Sequence, residues 1–190
     1  MKRIVIFASG SGTNAQRIAE YFDNNPNVAI IRIYCNKKDA YVLKRAEILG
    51  IPATIFNRDD FYNSDKINSQ LQQDRPDLIV LAGFLWLIPN SIIKLFPNKI
   101  INIHPALLPK YGGKGMYGSF VHEAIIKANE KESGITIHYV NEYYDEGMTI
   151  FQAKCEIEEK DTPENLAAKI HQLEYKHFPE VIENILNMES

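Results

Sequence analysis

The chain contains 190 residues, of which 45% are hydrophobic and 24% are charged, and its formal net charge is −3. These values predict one globular domain over residues 1–190, and the lack of a basic block argues against a nucleic-acid partner. No segment approaches the ~20 apolar residues that a membrane span requires, and the short apolar run near the N-terminus predicts a strand, not a signal peptide. Cys35 and Cys155 lack metal-ligand spacing, so we expect buried reduced thiols, a cytoplasmic location and no metal site.

Strand-like and helix-like segments alternate along the chain up to residue 104. Apolar and β-branched runs mark the strands, and helical spacing of apolar residues marks the segments between them. The predicted strands are 3–8, 28–35, 53–56, 78–82 and 99–104, and the predicted helices between them are 14–23, 40–49, 61–73 and 91–96. This alternation predicts an α/β fold with a Rossmann-like, doubly wound, mostly parallel sheet.

The C-terminal part departs from this alternation. After a predicted helix over 121–129, two strand-like segments at 135–140 and 149–157 are separated by the loop 141–147 alone. Parallel neighbours need a long crossover, so these two strands are predicted to form an antiparallel C-terminal extension of the sheet.

A long helix is predicted to close the chain over residues 163–186. Thr162 suits its N-cap and Pro163 suits its first turn, where a missing N–H is harmless. Pro179 lies inside the predicted helix and is expected to kink or interrupt it, since proline removes a backbone hydrogen bond there.

A glycine-rich turn, Ser-Gly-Ser-Gly-Thr-Asn-Ala at residues 9–15, follows the first strand and opens the first helix. Backbone amides at such a turn and the positive end of the helix favour an anion, most naturally a phosphate. The turn also fits a dinucleotide fingerprint, but the segment 35–38 lacks the acidic residue that would hold the ribose. Phosphate binding is therefore favoured over a nicotinamide cofactor, with a turn that serves packing alone as the alternative.

Asn102 and His104 stand two residues apart at the end of the fifth predicted strand. Alternate residues of a strand share a face, so both side chains are expected at the carboxyl edge of the sheet, where open α/β sheets bind ligands. Asp145 follows in the loop 141–147. A carboxylate beside the imidazole would raise the pKa of His104 and favour its protonated form. The three residues would then form one unit of hydrogen-bond donor, general acid and tuning carboxylate.

The other histidines carry weaker expectations. His138 lies in a predicted strand near the same edge, where shaping the pocket and simple burial are equally plausible roles. His122 and His177 are interpreted as packing or helix-surface residues, because neither has convincing metal-ligand spacing.

Four segments together resemble the folate-dependent phosphoribosylglycinamide formyltransferases. They are ASGSGTN (8–14), LIVLAGFLWLIP (78–89), INIHPALLPKYGG (101–113) and GITIHYVNEYYDEGMTIFQAKCEI (134–157). The resemblance extends over nearly the whole chain. It implies a formyltransferase fold and transfer of a formyl group from 10-formyltetrahydrofolate to the amine of glycinamide ribonucleotide in purine synthesis.

The resemblance also implies roles for individual residues. The catalytic residues would be Asn102, His104 and Asp145. The nucleotide substrate would be held by Gly12, Thr13, Asn14, His171 and Glu174. The folate would be held by Leu85, Trp86, Leu87, Ile88, Asn102, Asn141, Glu142, Tyr143 and Tyr144. The implied partners are glycinamide ribonucleotide and 10-formyltetrahydrofolate, with no metal, and the chain is expected to act as a monomer or homodimer.

The sequence departs from the family pattern in three places. Trp86 stands where many relatives carry arginine. The region 57–66 is short, and Arg58 is the candidate there for the arginine that meets the folate tail. The segment 111–118 has four glycines and looks longer than usual, which predicts a mobile flap over the site.

Parts of this sequence are also compatible with other functions within and outside the family. A formyltetrahydrofolate hydrolase shares the three catalytic residues but needs no phosphate site and usually carries an extra N-terminal regulatory domain. Formylation of methionyl-tRNA would call for more chain and more positive charge, and formylation of a nucleotide sugar is also open. A nucleotide-binding module without catalysis is disfavoured because all three catalytic residues are present.

Overall fold

The computed structural model describes residues 1–188. The strands are β1 (Lys2–Ala8), β2 (Val28–Cys35), β3 (Ala53–Ile55), β4 (Leu78–Leu81), β5 (Ile100–His104), β6 (Glu132–Tyr139) and β7 (Thr149–Glu156). The helices are α1 (Thr13–Phe22), α2 (Val42–Ile48), α3 (Arg58–Tyr62), α4 (Lys66–Asp74), α5 (Asn90–Leu95), α6 (Ser119–Lys127) and α7 (Pro163–Met188). The predicted α/β class is confirmed.

The seven strands form one sheet in the order β3-β2-β1-β4-β5-β6-β7. Strands β1 to β5 pair in parallel, whereas β6 pairs with β5 and β7 in the antiparallel sense. The strand order reverses between β1 and β4, and ligands of open α/β sheets bind at such a switch point. The Rossmann-like sheet and its antiparallel C-terminal extension are therefore both as predicted.

The sheet has a hydrophobic core on each face, and β1 contributes to both. Ile4 and Ile6 belong to one core, which also contains residues of α1, α2, α6 and α7. Val5 and Phe7 belong to the other, with residues of α3, α4 and α5. This follows from the alternation of side chains along a strand, and each fully buried aliphatic side chain contributes about 1.5–3 kcal/mol through burial.

The prediction of a single helix over 61–73 is wrong, because two helices, α3 and α4, occupy this region. A capping box starts α3 early: the Asn57 side chain accepts from the Asp60 N–H at 2.9 Å, and the Asp60 carboxylate accepts from the Asn57 N–H at 3.3 Å. Near the end of α3, the Ser64 hydroxyl donates to the Asp60 carbonyl at 3.2 Å. Such local side-chain bonds compete with the helical ladder and break it between residues 62 and 66.

Helix α7 runs without interruption through Pro179, so the predicted interruption does not occur. Proline leaves the carbonyl four residues earlier, that of Tyr175, without its usual donor. The Arg17 side chain of α1 lies 3.5 Å from this carbonyl through its Nε and supplies a donor from outside the helix. At the start of α7, the Thr162 hydroxyl accepts from the Asn165 N–H at 3.3 Å, which confirms the predicted N-cap.

Cys35 is buried, as expected, but Cys155 on β7 is only half-buried. Both are free thiols, and burial raises the pKa of each above its usual value. Within residues 1–188, no helix has the length and apolar content to cross a membrane. In the same part of the chain, no three His, Cys, Asp or Glu side chains are grouped as metal ligands would be.

Candidate active site

A cavity of ≈ 660 Å³ opens at the carboxyl ends of β1, β4 and β5. Its walls come from the glycine-rich turn, the loop after β4, the end of β5, the loop after β6, and helices α6 and α7. Cavities of about 300–1,000 Å³ suit small-molecule ligands. The strand-order reversal thus brings together segments from both halves of the chain.

The glycine-rich turn forms one end of the cavity, where Gly12, Thr13 and Asn14 all line it. Gly12 has a left-handed φ of 76°, and a Cβ added there would collide with the side chain of Val42. Only glycine adopts this left-handed conformation without strain and also leaves room for the Val42 side chain. Helix α1 begins immediately afterwards, so its unpaired first-turn amides lie at the cavity end, as an anion site requires.

Asn102, His104 and Asp145 all line the cavity and lie close together. Asn102 Nδ2 donates to Asp145 Oδ1 over 3.4 Å, and His104 Nδ1 lies 3.5 Å from Asp145 Oδ2. Asn102 also pairs across the antiparallel strands with His138, whose Nε2 is 3.2 Å from Asn102 Nδ2. Asn102, His104 and Asp145 come from two separate segments of the sequence and meet around the Asp145 carboxylate.

Asp145 has a left-handed φ of 58°, and its carboxylate is 11% exposed. Burial alone would raise the pKa of this carboxyl, but contacts with His138 and His104 and the Gly113 N–H, at 2.9 Å, outweigh burial and hold the pKa below its usual range. The carboxylate is therefore ionised at neutral pH. A strained backbone beside so many partners is typical of a functional position.

His104 is 4% exposed, and its Nε2 lies 2.7 Å from the carbonyl oxygen of Tyr111. A carbonyl only accepts, so this contact assigns the proton of the neutral ring to Nε2. Burial lowers the pKa of His104 below 6.5, although Asp145 and the Tyr111 carbonyl act in the opposite direction. The expected rise in the pKa of His104 is therefore wrong. The His104 Nδ1 faces the Asp145 carboxylate, which favours the protonated ring, whereas burial favours the neutral ring.

The residues predicted to hold the nucleotide also come together. Asn14 Nδ2 on α1 donates to Glu174 Oε2 on α7 at 2.9 Å, across 160 positions of sequence. Glu174 is 6% exposed, and its burial raises the pKa of the carboxyl. The His171 ring stacks on Tyr175 with centroids 5.9 Å apart, and both His171 and Glu174 line the cavity.

The residues 85–88 also line the cavity, as do Tyr143 and Tyr144, and the Leu85 N–H donates to the Ser9 hydroxyl of the glycine-rich turn at 3.1 Å. Asn141 and Glu142 lie outside the lining. Asn141 instead accepts from the Tyr143 N–H at 3.0 Å and so shapes the loop that presents the two tyrosines. The binding roles predicted for these residues remain predictions.

Trp86 belongs to an aromatic cluster. Its ring lies 5.9 Å from that of Phe61 and 6.0 Å from those of Phe56 and Tyr62. The Arg58 guanidinium carbon sits 5.1 Å from the Trp86 centroid, within cation–π range. The tryptophan thus holds a cation beside residues 85–88.

His122 is a cavity residue that the sequence interpretation missed. It lies on α6, is 5% exposed and lines the cavity. The sequence predicts a packing or helix-surface residue at this position. Nothing local in the sequence separates such a position from an ordinary helix residue. Lys37, after β2, also lines the cavity and adds positive charge near the glycine-rich turn.

The chain is similar to known proteins over most of its length. The family model described as Formyl transferase matches residues 2–182. A Bacillus subtilis phosphoribosylglycinamide formyltransferase is 37% identical over 99% of this chain and 96% of its own length. A chloroplastic Arabidopsis thaliana protein of that name is 38% identical over 95% of this chain, which spans 64% of the plant protein.

Solved structures give the same result. The glycinamide ribonucleotide transformylase 1 structure from Geobacillus kaustophilus superposes with a TM-score of 0.89 at 34% identity, covering 98% of this chain and 99% of that one. The chain belongs to the formyl transferase family. Within that family it is a member of the phosphoribosylglycinamide formyltransferases.

Proposed function

We propose that this chain transfers a formyl group from 10-formyltetrahydrofolate to the amine of glycinamide ribonucleotide, in the cytoplasm, as a step of purine synthesis. The observation that carries the proposal is that the glycine-rich turn and the Asn102–His104–Asp145 cluster line one cavity. A phosphate held at the first would place the rest of the nucleotide against the second. Membership of the family supports the same reaction.

The cavity walls suggest where each substrate lies. The nucleotide phosphate would take the amides at Gly12 to Asn14, and its ribose would lie against Glu174 and His171. The folate would lie along residues 85–88, with Tyr143 and Tyr144 on its other side. Arg58, held against Trp86, is our candidate for the acidic tail of the folate.

The folate donor supplies an activated one-carbon carbonyl. In the transfer, the nucleotide amine forms a bond to the formyl carbon, the bond between that carbon and the folate nitrogen breaks, and a proton passes from the amine to the released nitrogen. Asn102 Nδ2 would give up its long 3.4 Å bond to Asp145 and donate to the formyl oxygen as negative charge builds there. One such donor lowers the activation barrier by about 3–4 kcal/mol.

His104 and Asp145 would move the proton. The neutral imidazole accepts it at Nδ1, the nitrogen that faces Asp145, while Nε2–H stays on the Tyr111 carbonyl. The ionised carboxylate stabilises the resulting imidazolium until the proton is delivered to the folate nitrogen. His104 thus begins as a base and finishes as an acid, which fits its lowered pKa better than a resting imidazolium does.

The test is release of tetrahydrofolate from 10-formyltetrahydrofolate by the purified protein, with and without glycinamide ribonucleotide. We expect release only with the nucleotide, together with formylation of its amine. Equal release without the nucleotide would identify a hydrolase, and no release under either condition would identify a binding protein. His104→Ala should abolish the nucleotide-dependent release while the protein stays folded.

A further inference from the structure

His122 presents an unexplained polar group to the cavity. The side chain lies on α6, its residue is 5% exposed, and it lines the cavity. Its Nδ1 is buried and has no hydrogen-bond partner among the residues that the structure describes. Buried polar atoms are nearly always paired, so an unpaired nitrogen on a side chain that lines a ligand cavity points to a partner that arrives with the ligand.

The position of His122 indicates which ligand that is. His171, which also lines the cavity, and His104, in the catalytic cluster, are the titratable neighbours that act on the pKa of His122. Helix α6, which carries His122, packs against α7, which carries His171 and Glu174. His122 therefore lies near both the residues assigned to the nucleotide and those assigned to the chemistry.

The state of the ring indicates the kind of group it meets. Burial, with smaller effects of His171 and His104, lowers the pKa of His122, so the ring is neutral at pH 7. A neutral imidazole has one donor and one acceptor nitrogen. This pair of functions suits a hydroxyl or amide group, whereas a phosphate is better served by the glycine-rich turn.

We propose that His122 is a further substrate-binding residue, whose imidazole hydrogen-bonds the ribosyl-glycinamide portion of the nucleotide, between its phosphate and its amine. The inference rests on the proposed function. It also makes a paired prediction that a packing histidine would not: removing the imidazole should weaken nucleotide binding and at the same time stabilise the free protein, because an unpaired buried nitrogen disappears.

The experiment compares wild type with His122→Leu and His122→Asn. We measure the KM for each substrate, the Kd of glycinamide ribonucleotide alone by calorimetry, and the Tm of the free protein. For His122→Leu we expect the KM and Kd of the nucleotide to rise at least about tenfold, equivalent to about 1.4 kcal/mol. The KM for 10-formyltetrahydrofolate should change less than twofold, and the Tm should stay equal or rise.

His122→Asn places an amide near the position of Nδ1 and should recover part of the nucleotide affinity. His177→Leu is the matched control, since His177 pairs with Glu180 outside the cavity lining. It should leave both KM values unchanged.

The outcomes separate this inference from the proposed function. Absence of nucleotide formylation by the wild-type protein would contradict both the proposed function and the inference that rests on it. Wild-type turnover with an unchanged nucleotide KM in both His122 variants would overturn the inference alone. A fall in Tm accompanied by equal rises in both KM values would show that His122 is a packing residue.

Discussion

At the scale of single residues, the Asp145 carboxylate organises the site. Its Oδ1 faces Asn102 and His138, and its Oδ2 faces His104 and accepts from the Gly113 N–H. One side chain therefore links the end of β5, the strand β6 and the loop after His104. Its left-handed φ of 58° is a conformation that asparagine also tolerates well.

Asp145→Asn should lower kcat by about 10²-fold or more, because proton transfer loses its charged partner while the shape of the side chain is retained. The KM values should change little. Steady-state kinetics with both substrates measure the effect. Glu146→Gln, an exposed neighbour carrying the same charge change, is the control and should behave as wild type. A kcat for Asp145→Asn close to that of wild type would remove Asp145 from the mechanism.

The lowered pKa of His104 can be measured directly by NMR titration of its imidazole. We expect a midpoint below 6.5 in the wild type and a still lower one in Asp145→Asn, since the variant loses the charge that favours the imidazolium. The unfolded chain takes up this proton first as pH falls, so stability decreases below about pH 6.5. A midpoint above 6.5 in the wild type would contradict the neutral resting state.

At the scale of elements, the β6–β7 hairpin fixes the position of the Asp145 loop. Gly147 lies where the chain returns towards β7, and a Cβ added there would collide with the backbone carbonyl of Tyr139. A Cβ added at Gly134 would likewise collide with the backbone carbonyl of Ala153. Backbone oxygens cannot rotate away as flexible side chains can, so both glycines are needed for the hairpin to close.

Gly147→Ala should reduce the free energy of unfolding by about 1–3 kcal/mol, as overpacking commonly does, and should lower kcat by displacing Asp145. Urea unfolding and steady-state kinetics report the two effects. For stability, Gly10→Ala is the matched control, because a Cβ at Gly10 meets nothing within 4 Å. Equal unfolding free energies for Gly147→Ala and wild type would show that the loop adjusts freely.

The element scale also shows how far local patterns reach. Periodicity predicted the strands and the antiparallel extension, because alternation and short connections are local properties. The division into α3 and α4 was not predicted, since the apolar spacing over 61–73 is compatible with one continuous helix, although Asn57 and Asp60 form a capping box. Pro179 was expected to kink or interrupt α7, and the donor supplied by Arg17 could not be predicted from spacing.

At the scale of the whole molecule, the sheet topology gathers the two ends of the chain around one cavity. Helix α1 packs against α7, which brings Asn14 and Glu174 into contact. Residues 85–88, in the loop after β4, line the same cavity. The two substrates are thus assigned to different elements, and their binding should be separable by mutation.

Glu174→Gln should remove most of the stabilisation that glycinamide ribonucleotide gives to the folded protein while keeping that given by 10-formyltetrahydrofolate. A ligand at a hundred times its Kd stabilises by about 2.7 kcal/mol, which is readily seen as a rise in Tm. Thermal unfolding with each ligand alone measures the two effects. Loss of both shifts, or of neither, would show that Glu174 does not serve the nucleotide alone.

The sequence by itself determined the α/β class, the glycine-rich turn and the pairing of Asn102 with His104 on one strand face, because each depends on residues close together along the chain. Only the tertiary structure decided that burial lowers the pKa of His104, that His122 lines the cavity and that Asn14 meets Glu174. Burial and contact between distant segments are products of packing. The pKa of a side chain and the pairing of a buried nitrogen are therefore set only when the sheet and its helices pack around them.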